Sequence, residues 1–435
     1  MNQETGKREI YVGIMGMGTV GGGVVSLLNE NGADIAEKVG ASIVIKKILV
    51  RDVKKRRAVY IPEELLTDDP EVFFSDPDIH IYVELTGGIE PACTNIAKVL
   101  KKGKYVVTAN KDLMAQHGDE LIELSRHSGG AIFFEGSVGG GIPLIRPLQQ
   151  CLAANRIDRL MGIINGTTNY ILTRMSLSNI QQDEALKEAQ EKGFAEADPS
   201  SDIEGRDAAY KMVVLAKLAF GASVPMDKVY MQGIESVSAE DLLYARQLGY
   251  TIKLLAVGER FGDGLSLRVF PALLPLKHPL AAVYYEYNAL FVEGNAVGEV
   301  MFYGRGAGAM PTASAVSADI IAAARLLRYG SKGDIQNIPM KKMKIISGDE
   351  MVSSFYLRLQ AYDRPGVFAS LATIFSAENV SLDMILQKRS DNGIAEIVLV
   401  TYDVKEACFF EALNCVKQMP SISSINGVFR VIGKP

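Results

Sequence analysis

Three observations place this chain in the α/β class. Short, β-branched apolar runs alternate with helix-like segments through residues 9–134. A glycine-rich turn follows the first of those runs, and residues 351–435 carry strand and helix periodicities in the order βαββαβ. Buried strands alternating with helices imply a doubly wound, Rossmann-type parallel sheet, and the C-terminal order defines a ferredoxin-like unit. A mixed α+β region lies between them in sequence. The length of 435 residues accommodates three domains of ~150 residues each.

The first run, Glu9–Met15, breaks at Gly16 and gives way to a helix-like stretch from Thr19 to about Val39, which reads as strand, turn, helix. Further strand-like runs are Ile43–Val50, Ile79–Leu85, Tyr105–Thr108 and Ala131–Phe134. Ala208–Phe220 is apolar nearly all round, as expected of a helix buried between layers. Residues 331–350 lose periodicity and read as a linker. Phe355, Leu357, Leu359 and Ala361 then alternate with Tyr356, Arg358, Gln360 and Tyr362, the pattern of a half-buried strand. Val367, Leu371, Ile374 and Phe375 share one helical face. Two strand-like runs, Val380–Lys388 and Ile394–Tyr402, flank the hairpin signal Asp391-Asn392-Gly393. A helix carrying Phe409, Ala412, Leu413 and Val416 and a strand at Ile422–Val431 complete the unit. The expected domains are 1–147 for nucleotide binding, 148–305 for substrate binding and dimerisation, 306–345 for a return to the first domain plus linker, and 351–435 for the C-terminal unit.

Composition excludes several classes. With 48% hydrophobic and 22% charged residues, the chain is neither disordered nor fibrous. Lysine and arginine number 46 against 51 aspartate and glutamate, a net charge of −5, which argues against nucleic-acid and anionic-membrane partners. Met1-Asn2-Gln3-Glu4-Thr5 does not begin a secretory signal, and no uncharged apolar run approaches the ~20 residues of a membrane span; a soluble, cytoplasmic protein is expected. Cys93, Cys151, Cys408 and Cys415 are too scattered for a disulfide framework or a CxxC zinc site, and buried thiols are expected. His80, His117, His127 and His278 show no HxxH or HExxH spacing, so neither a metalloenzyme nor a histidine triad is supported.

Gly16-Met17-Gly18-Thr19-Val20-Gly21 matches GxGxxG in the context its mechanism requires, after a strand and opening a helix. Glycines there permit a tight turn and close backbone approach to a pyrophosphate, whose charge the helix N-terminus stabilises. At the end of the second strand, Arg51 would suit a 2′-phosphate and Asp52 a free ribose hydroxyl; Arg51 and the basic run Lys54–Arg57 favour NADP over NAD, and a solvated basic loop is the plain alternative. Thr86-Gly87-Gly88 and Asn110-Lys111 follow parallel strands, at the carboxyl ends where such sheets bind ligands. The segment from Gly193 to Lys211 is dense in carboxylates, and Lys211 lies on an apolar helical stripe four residues after Asp207. That pair is either a helix-stabilising ion pair or part of a site where a lysine donates a proton and carboxylates hold an ammonium-bearing substrate. Glu135 and the glycine loop to Pro143 either coordinate a hard cation through exposed carbonyls or form a plain loop. A second glycine loop, Gly304–Thr312, precedes a helix and suggests a return to the cofactor.

These residues resemble homoserine dehydrogenases of the form that carries a C-terminal ACT domain. The resemblance covers essentially the whole chain, and its marks are Gly16–Gly21, Thr108-Ala109-Asn110-Lys111, Gly193–Lys211 and Gly304–Thr312. It implies reversible reduction of L-aspartate 4-semialdehyde to L-homoserine in threonine, methionine and isoleucine biosynthesis. It further implies Lys211 as proton donor with Lys111 as its partner at the carbonyl, Glu196 and Asp207 binding the amino acid with Asp202 in support, and Gly193, Thr86 and Gly306 touching the cofactor. Glu135 with the carbonyls of Val138, Gly140 and Ile142 matches a sodium site, and Asp363-Arg364-Pro365-Gly366-Val367 resembles an ACT effector loop, with Asp363, Gly366 and Val367 as contacts and threonine as effector. Pairing between subunits is expected, because a βαββαβ sheet offers an edge strand and an open face. The alternatives are a non-catalytic regulator that binds a dinucleotide and an amino acid, and a dehydrogenase of another small aldehyde.

Overall fold

The computed structural model describes residues 9–330, 343–389 and 393–435. These divide into two compact units, one of 9–156, 213–226 and 302–330, the other of 157–212, 227–301, 343–389 and 393–435.

In chain order the first unit opens β1 (Glu9–Met15), α1 (Thr19–Glu30), α2 (Gly32–Val39), β2 (Ser42–Leu49), β3 (Leu66–Thr67), α3 (Pro70–Ser75), β4 (Ile79–Glu84), α4 (Ala92–Lys101), β5 (Tyr105–Thr108), α5 (Lys111–Ser128) and β6 (Ala131–Phe133). The strands form one parallel sheet in the order β3-β2-β1-β4-β5-β6. Chain order reverses between β1 and β4, which is where open α/β sheets leave a ligand crevice at their carboxyl ends. The helix-like stretch 19–39 is two helices: it breaks at Asn31, and α2 stops at Gly40, which adopts a left-handed φ of 74°. The core contains Val12, Ile14, Ile81, Val83 and Val107 from the strands and Val24, Val25 and Leu28 from α1.

The following elements are β7 (Ile157–Ile163), α6 (Gly166–Ser178), α7 (Gln182–Glu191), α8 (Ser200–Ile203), α9 (Arg206–Phe220), β8 (Tyr230–Met231), α10 (Ala239–Gln247), β9 (Tyr250–Phe261), β10 (Gly264–Pro275), β11 (Tyr287–Gly294), β12 (Gly298–Arg305) and α11 (Ala309–Tyr329). By length and composition α11 could cross a membrane. Its Ala313, Val316, Ile320, Ala323 and Ala324 instead sit in the core of the first unit, against β1 and β4 residues.

The last elements are β13 (Lys344–Ile345), β14 (Val352–Tyr362), α12 (Val367–Ala377), β15 (Leu382–Arg389), β16 (Ile394–Thr401), β17 (Val404–Lys405), α13 (Glu406–Lys417) and β18 (Ile422–Val431). The second unit carries a 12-stranded sheet whose path is β12-β11-β7-β9-β10-β18-β14-β16-β15, with β8 and β13 on β10 and β17 on β14. The sheet of the βαββαβ unit thus continues that of the middle domain, because β18 pairs in parallel with β10 at Ala272–Arg430 and Leu273–Val431.

Four sequence expectations need correction. Residues 344–350, read as linker, form β13 on β10 and a 3-10 turn; the rest of that linker, and Asp391-Asn392 of the hairpin turn, lie outside the described residues. Strand β14 is half-buried only toward its end, where Gln360 is partly exposed and Tyr362 41% exposed. Its Tyr356 and Arg358 are 0% and 5% exposed because α10 covers them, with Asp241 accepting from the Tyr356 hydroxyl at 3.1 Å and from Arg358 Nε at 2.6 Å. The face expected to be open is thus partly covered within the chain, and one of the two edges is taken by β10. The thiols are not buried either: Cys151 and Cys415 are exposed and Cys93 and Cys408 half-buried. Cys415 falls off the Phe409, Ala412, Leu413 and Val416 stripe that α13 buries.

A buried ionic seam joins β10 to the βαββαβ unit. Glu406 accepts from Arg430 Nε at 2.8 Å, Arg430 Nη2 at 2.5 Å, Arg268 Nη1 at 2.9 Å and the Ser353 hydroxyl at 2.7 Å. Removing Glu406 would leave two buried guanidiniums without their shared carboxylate, which destabilises by about 3–5 kcal/mol.

Candidate active site

The turn after β1 is shaped by backbone contacts. Gly16 has φ 93°, and a Cβ there would lie 2.7 Å from the Leu85 carbonyl oxygen, so only glycine lets β1 pass that close to the end of β4. Gly18 precedes α1 with open space on its Cβ side and no side-chain cap, and Thr19 and Val20 begin the helix. The first N–H groups of α1 therefore face an uncovered approach, suited to an anion. Gly21 packs against the same turn, where a Cβ would lie 2.6 Å from Gly16 O.

The strand ends beside it are tied together by Glu84, which is 1% exposed. Its carboxylate accepts from the Thr86 N–H at 2.7 Å, the Thr86 hydroxyl at 2.6 Å and the Thr108 hydroxyl at 2.8 Å. Asn110 caps α5 by accepting from Leu113 N–H, and its Nδ2 donates to Gly88 O at 2.6 Å. Lys111 follows as the first residue of α5, its ammonium 3.8 Å from Asp112. Past β2, Arg51 is exposed, whereas Asp52 already accepts from Lys54 N–H at 2.8 Å and Arg57 folds back on the carbonyls of Asp52, Val53 and Lys55. Glu84 escaped the sequence reading; an acidic residue ending an apolar strand just before Thr86 was its signal.

The two glycine loops meet within the first unit. Gly140 has φ 55°, and a Cβ on it would lie 2.3 Å from Gly306 O, while Gly141 N–H donates to Arg305 O at 3.1 Å. The Glu135 carboxylate accepts backbone N–H groups from Leu144 at 2.6 Å, Ile145 at 2.8 Å and Arg146 at 3.0 Å. Ile142 N–H bonds to Gly139 O, so the turn employs that carbonyl rather than those of Val138, Gly140 or Ile142. Asp319 accepts from Glu135 N–H and pairs with Arg146; burial pushes its carboxyl up to about 7. Two buried carboxylates thus share one guanidinium.

In the second unit the first turn of α6 gathers the carboxylate-rich segment. Asn165 caps α6 by accepting from Thr168 N–H at 2.9 Å, and its Nδ2 donates to Asp202 at 2.7 Å and Asp207 at 2.9 Å. Lys211, four residues along α9, donates to Asp207 Oδ2 at 2.6 Å and to Ile164 O at 2.8 Å. Asp202, Asp207 and Lys211 are therefore brought together by a residue that sequence reading missed, although Asn165-Gly166-Thr167-Thr168 after an apolar strand is a helix N-cap signal. Glu196 is not in this network: its side chain is exposed and its carbonyl accepts from Gln190 at 3.1 Å. Gly193 has φ 74° and open space beside it. Further along, Asp198 is held below its ordinary pKa by the Ser200 hydroxyl and N–H.

On the βαββαβ unit, Asp363 N–H donates to Gly393 O at 2.9 Å, Gly366 caps α12 at φ 91° and Val367 is buried. A depression of about 610 Å³ opens beside this loop, walled by Arg364, Ser370, Thr373, Met419 and Ser421. Asp363, Gly366 and Val367 are not among its walls.

A family model described as homoserine dehydrogenase, NAD binding domain, matches residues 16–135; one described as homoserine dehydrogenase matches 143–321, and an ACT domain matches 355–419. Homoserine dehydrogenase from Bacillus subtilis is 42% identical, covering 98% of this chain and 99% of its own. The crystal structure of a homoserine dehydrogenase from Thiobacillus denitrificans superposes with a TM-score of 0.91 at 38% identity, covering 98% of each chain. A hyperthermophilic archaeal homoserine dehydrogenase in complex with NADPH gives a TM-score of 0.60 at 28% identity, over 72% of this chain and 97% of that one.

Proposed function

The chain belongs to the homoserine dehydrogenase family, and from that premise we propose that Lys211 is its proton donor, organised by Asp207, Asn165 and Asp202. The activity is the reversible NAD(P)H-dependent reduction of L-aspartate 4-semialdehyde to L-homoserine, so the readings as a non-catalytic regulator or as a dehydrogenase of another aldehyde fall away. The observation that carries the proposal is the Lys211–Asp207–Asn165–Asp202 chain of hydrogen bonds.

The nicotinamide, when bound, supplies the hydride. The residues of the turn after β1 suit it: Gly16 and Gly21 close the tight turn, and Gly18, Thr19 and Val20 present the open start of α1 to the pyrophosphate. Thr86, fixed by Glu84, Lys111 at the head of α5, and Gly306 are assigned to the same cofactor. The cofactor role of Gly193 rests on the family resemblance alone. Arg51 and the basic run Lys54–Arg57 support NADP over NAD, Arg51 and Asp52 both being exposed, and the archaeal relative is in complex with NADPH. As negative charge grows on the aldehyde oxygen, the Lys211 ammonium stabilises it and transfers a proton, regenerated from solvent. Glu196 and Asp207 hold the substrate's ammonium group, with Asp202 in support.

Replacing Lys211 by Met should lower turnover about 10³-fold with NADP affinity intact; near-normal turnover would overturn the assignment. Homoserine oxidation compared in NADP and NAD tests Arg51, since a higher kcat/KM with NAD would reverse the cofactor preference.

The proposed sodium site is Glu135 with the carbonyls of Val138, Gly140 and Ile142. The turn's hydrogen bond from Ile142 N–H goes to Gly139 O, which supports the other three carbonyls as cation ligands. The ACT domain is consistent with feedback regulation; threonine, acting through the Asp363–Val367 loop, is the proposed effector. A homo-oligomer in the cytoplasm completes this reading. Threonine titrated against the full-length enzyme and against Asp363→Ala decides the effector, because equal insensitivity in both removes it. Deleting the ACT domain is a poor test, since it would strip β18 from β10 and expose Arg268.

A further inference from the structure

The mechanism leaves one buried amine unused. Lys253, on β9, is 2% exposed, and its ammonium donates to two neutral oxygens: Asn169 Oδ1 at 3.0 Å and Val283 O at 2.5 Å. The Tyr284 ring lies 5.1 Å from it. Burial lowers this amine to about 7. An amine so placed is costly to bury and makes a poor structural filler, so its partners indicate its purpose.

Those partners converge on the loop 283–287. Asn169, 1% exposed on α6, donates from Nδ2 to the carbonyls of Val283 at 3.2 Å, Tyr285 at 2.8 Å and Tyr287 at 3.0 Å. Its amide can point only one way: Oδ1 to the lysine and Nδ2 to the carbonyls. The Tyr285 N–H donates to the Thr173 hydroxyl at 3.1 Å. Tyr285 adopts φ 56°, a left-handed conformation uncommon for an aromatic residue, and such conformations persist where neighbours over-determine them. The pinned ring sits 6.1 Å from Tyr170, which sits 5.1 Å from Phe194. The Phe194 carbonyl accepts from the Thr167 hydroxyl at 2.7 Å, and Phe194 lies between Gly193 and Glu196.

We propose that Lys253 is a positioning residue for amino-acid substrate binding, acting through Asn169 and the 283–287 loop to fix Tyr285 against Tyr170 and Phe194 and thereby set the Gly193–Glu196 segment. The proposal rests on the assignment of Glu196 to the substrate. Tyr285 itself is 41% exposed and can be truncated without opening the core.

The test is a double-mutant cycle of Lys253→Met and Tyr285→Ala in the full-length enzyme, with KM measured for homoserine and for NADP. Each single change should raise the homoserine KM about tenfold with the NADP KM within about twofold, and Lys253→Met should add little once Tyr285 is truncated. An unchanged homoserine KM, an equal rise for NADP, or full additivity overturns the proposal. If Lys253→Met does not fold, Thr173→Val reads the same loop: a homoserine KM raised about threefold supports it, and an unchanged one sinks it. Glu196→Gln separates the two readings. If Glu196→Gln raises the homoserine KM and Lys253→Met does not, this proposal alone fails; if Glu196→Gln has no effect, the substrate assignment beneath it fails.

Discussion

The second unit holds two sequestered amines that differ in their surroundings. Lys211 is 13% exposed and touches Asp207, which Asn165 links to Asp202. Lys253 is more deeply buried and touches only an amide oxygen, a backbone carbonyl and an aromatic face. One is set among carboxylates at a partly open surface, as proton transfer to a substrate requires. The other is insulated from acids and solvent, which suits holding backbone in place and does not suit chemistry on a ligand. A buried lysine is therefore informative only together with its partners, which differ between these two.

The largest expected effect breaks the first half of that contrast. Asp207→Asn keeps the shape but removes the charge beside Lys211, and homoserine turnover should fall on the order of 10²-fold. Turnover within threefold of wild type would reduce the pair to an i,i+4 helix staple. A smaller effect is expected one step out. Asn165→Ala removes the Nδ2 bonds to Asp202 and Asp207, leaving Asp207 on Lys211, and removes the α6 cap, so the homoserine KM should rise about tenfold with the NADP KM unchanged. Equal rises for both ligands would show that Asn165 serves only the fold.

The same contrast explains what was legible in the sequence. Lys211 and Asp207 lie on one helix, so helical spacing joined them before any tertiary contact was known. The GxGxxG turn is likewise local, and Gly16 and Gly21 meet across five residues. Asn165 reaches Asp202 and Asp207 across 37 and 42 residues, and Lys253 reaches Asn169 across 84. No periodicity encodes such pairs. The middle domain was illegible for a related reason: β9 and β10 are 12-residue strands buried almost throughout, which lack the alternation that marks a half-exposed strand. Arg358 and Tyr356 did alternate with core residues, and read as solvent-facing until α10, more than a hundred residues upstream, supplied Asp241. The continuity of the ACT sheet with its neighbour was not legible, because the β10–β18 pairing is parallel and non-local.

The smallest expected effect sharpens the other half of the contrast. Lys253 has an ordinary value of 10.5 and is held at about 7 in the fold. Between those values the unfolded chain binds a proton that the folded chain does not, so this residue makes stability rise with pH through the window, by at most about 1.4 kcal/mol per pH unit. Below pH ~7 both states are protonated and the cost of burying the charge is fully present. Lys253→Met removes the titration. The difference in unfolding free energy between wild type and Lys253→Met, measured from pH 7 to 9, should therefore move in favour of wild type by about 2 kcal/mol. A difference that stays flat across that range would mean that the amine keeps its proton in the fold, and that the carbonyls of Asn169 and Val283 alone stabilise a buried ammonium.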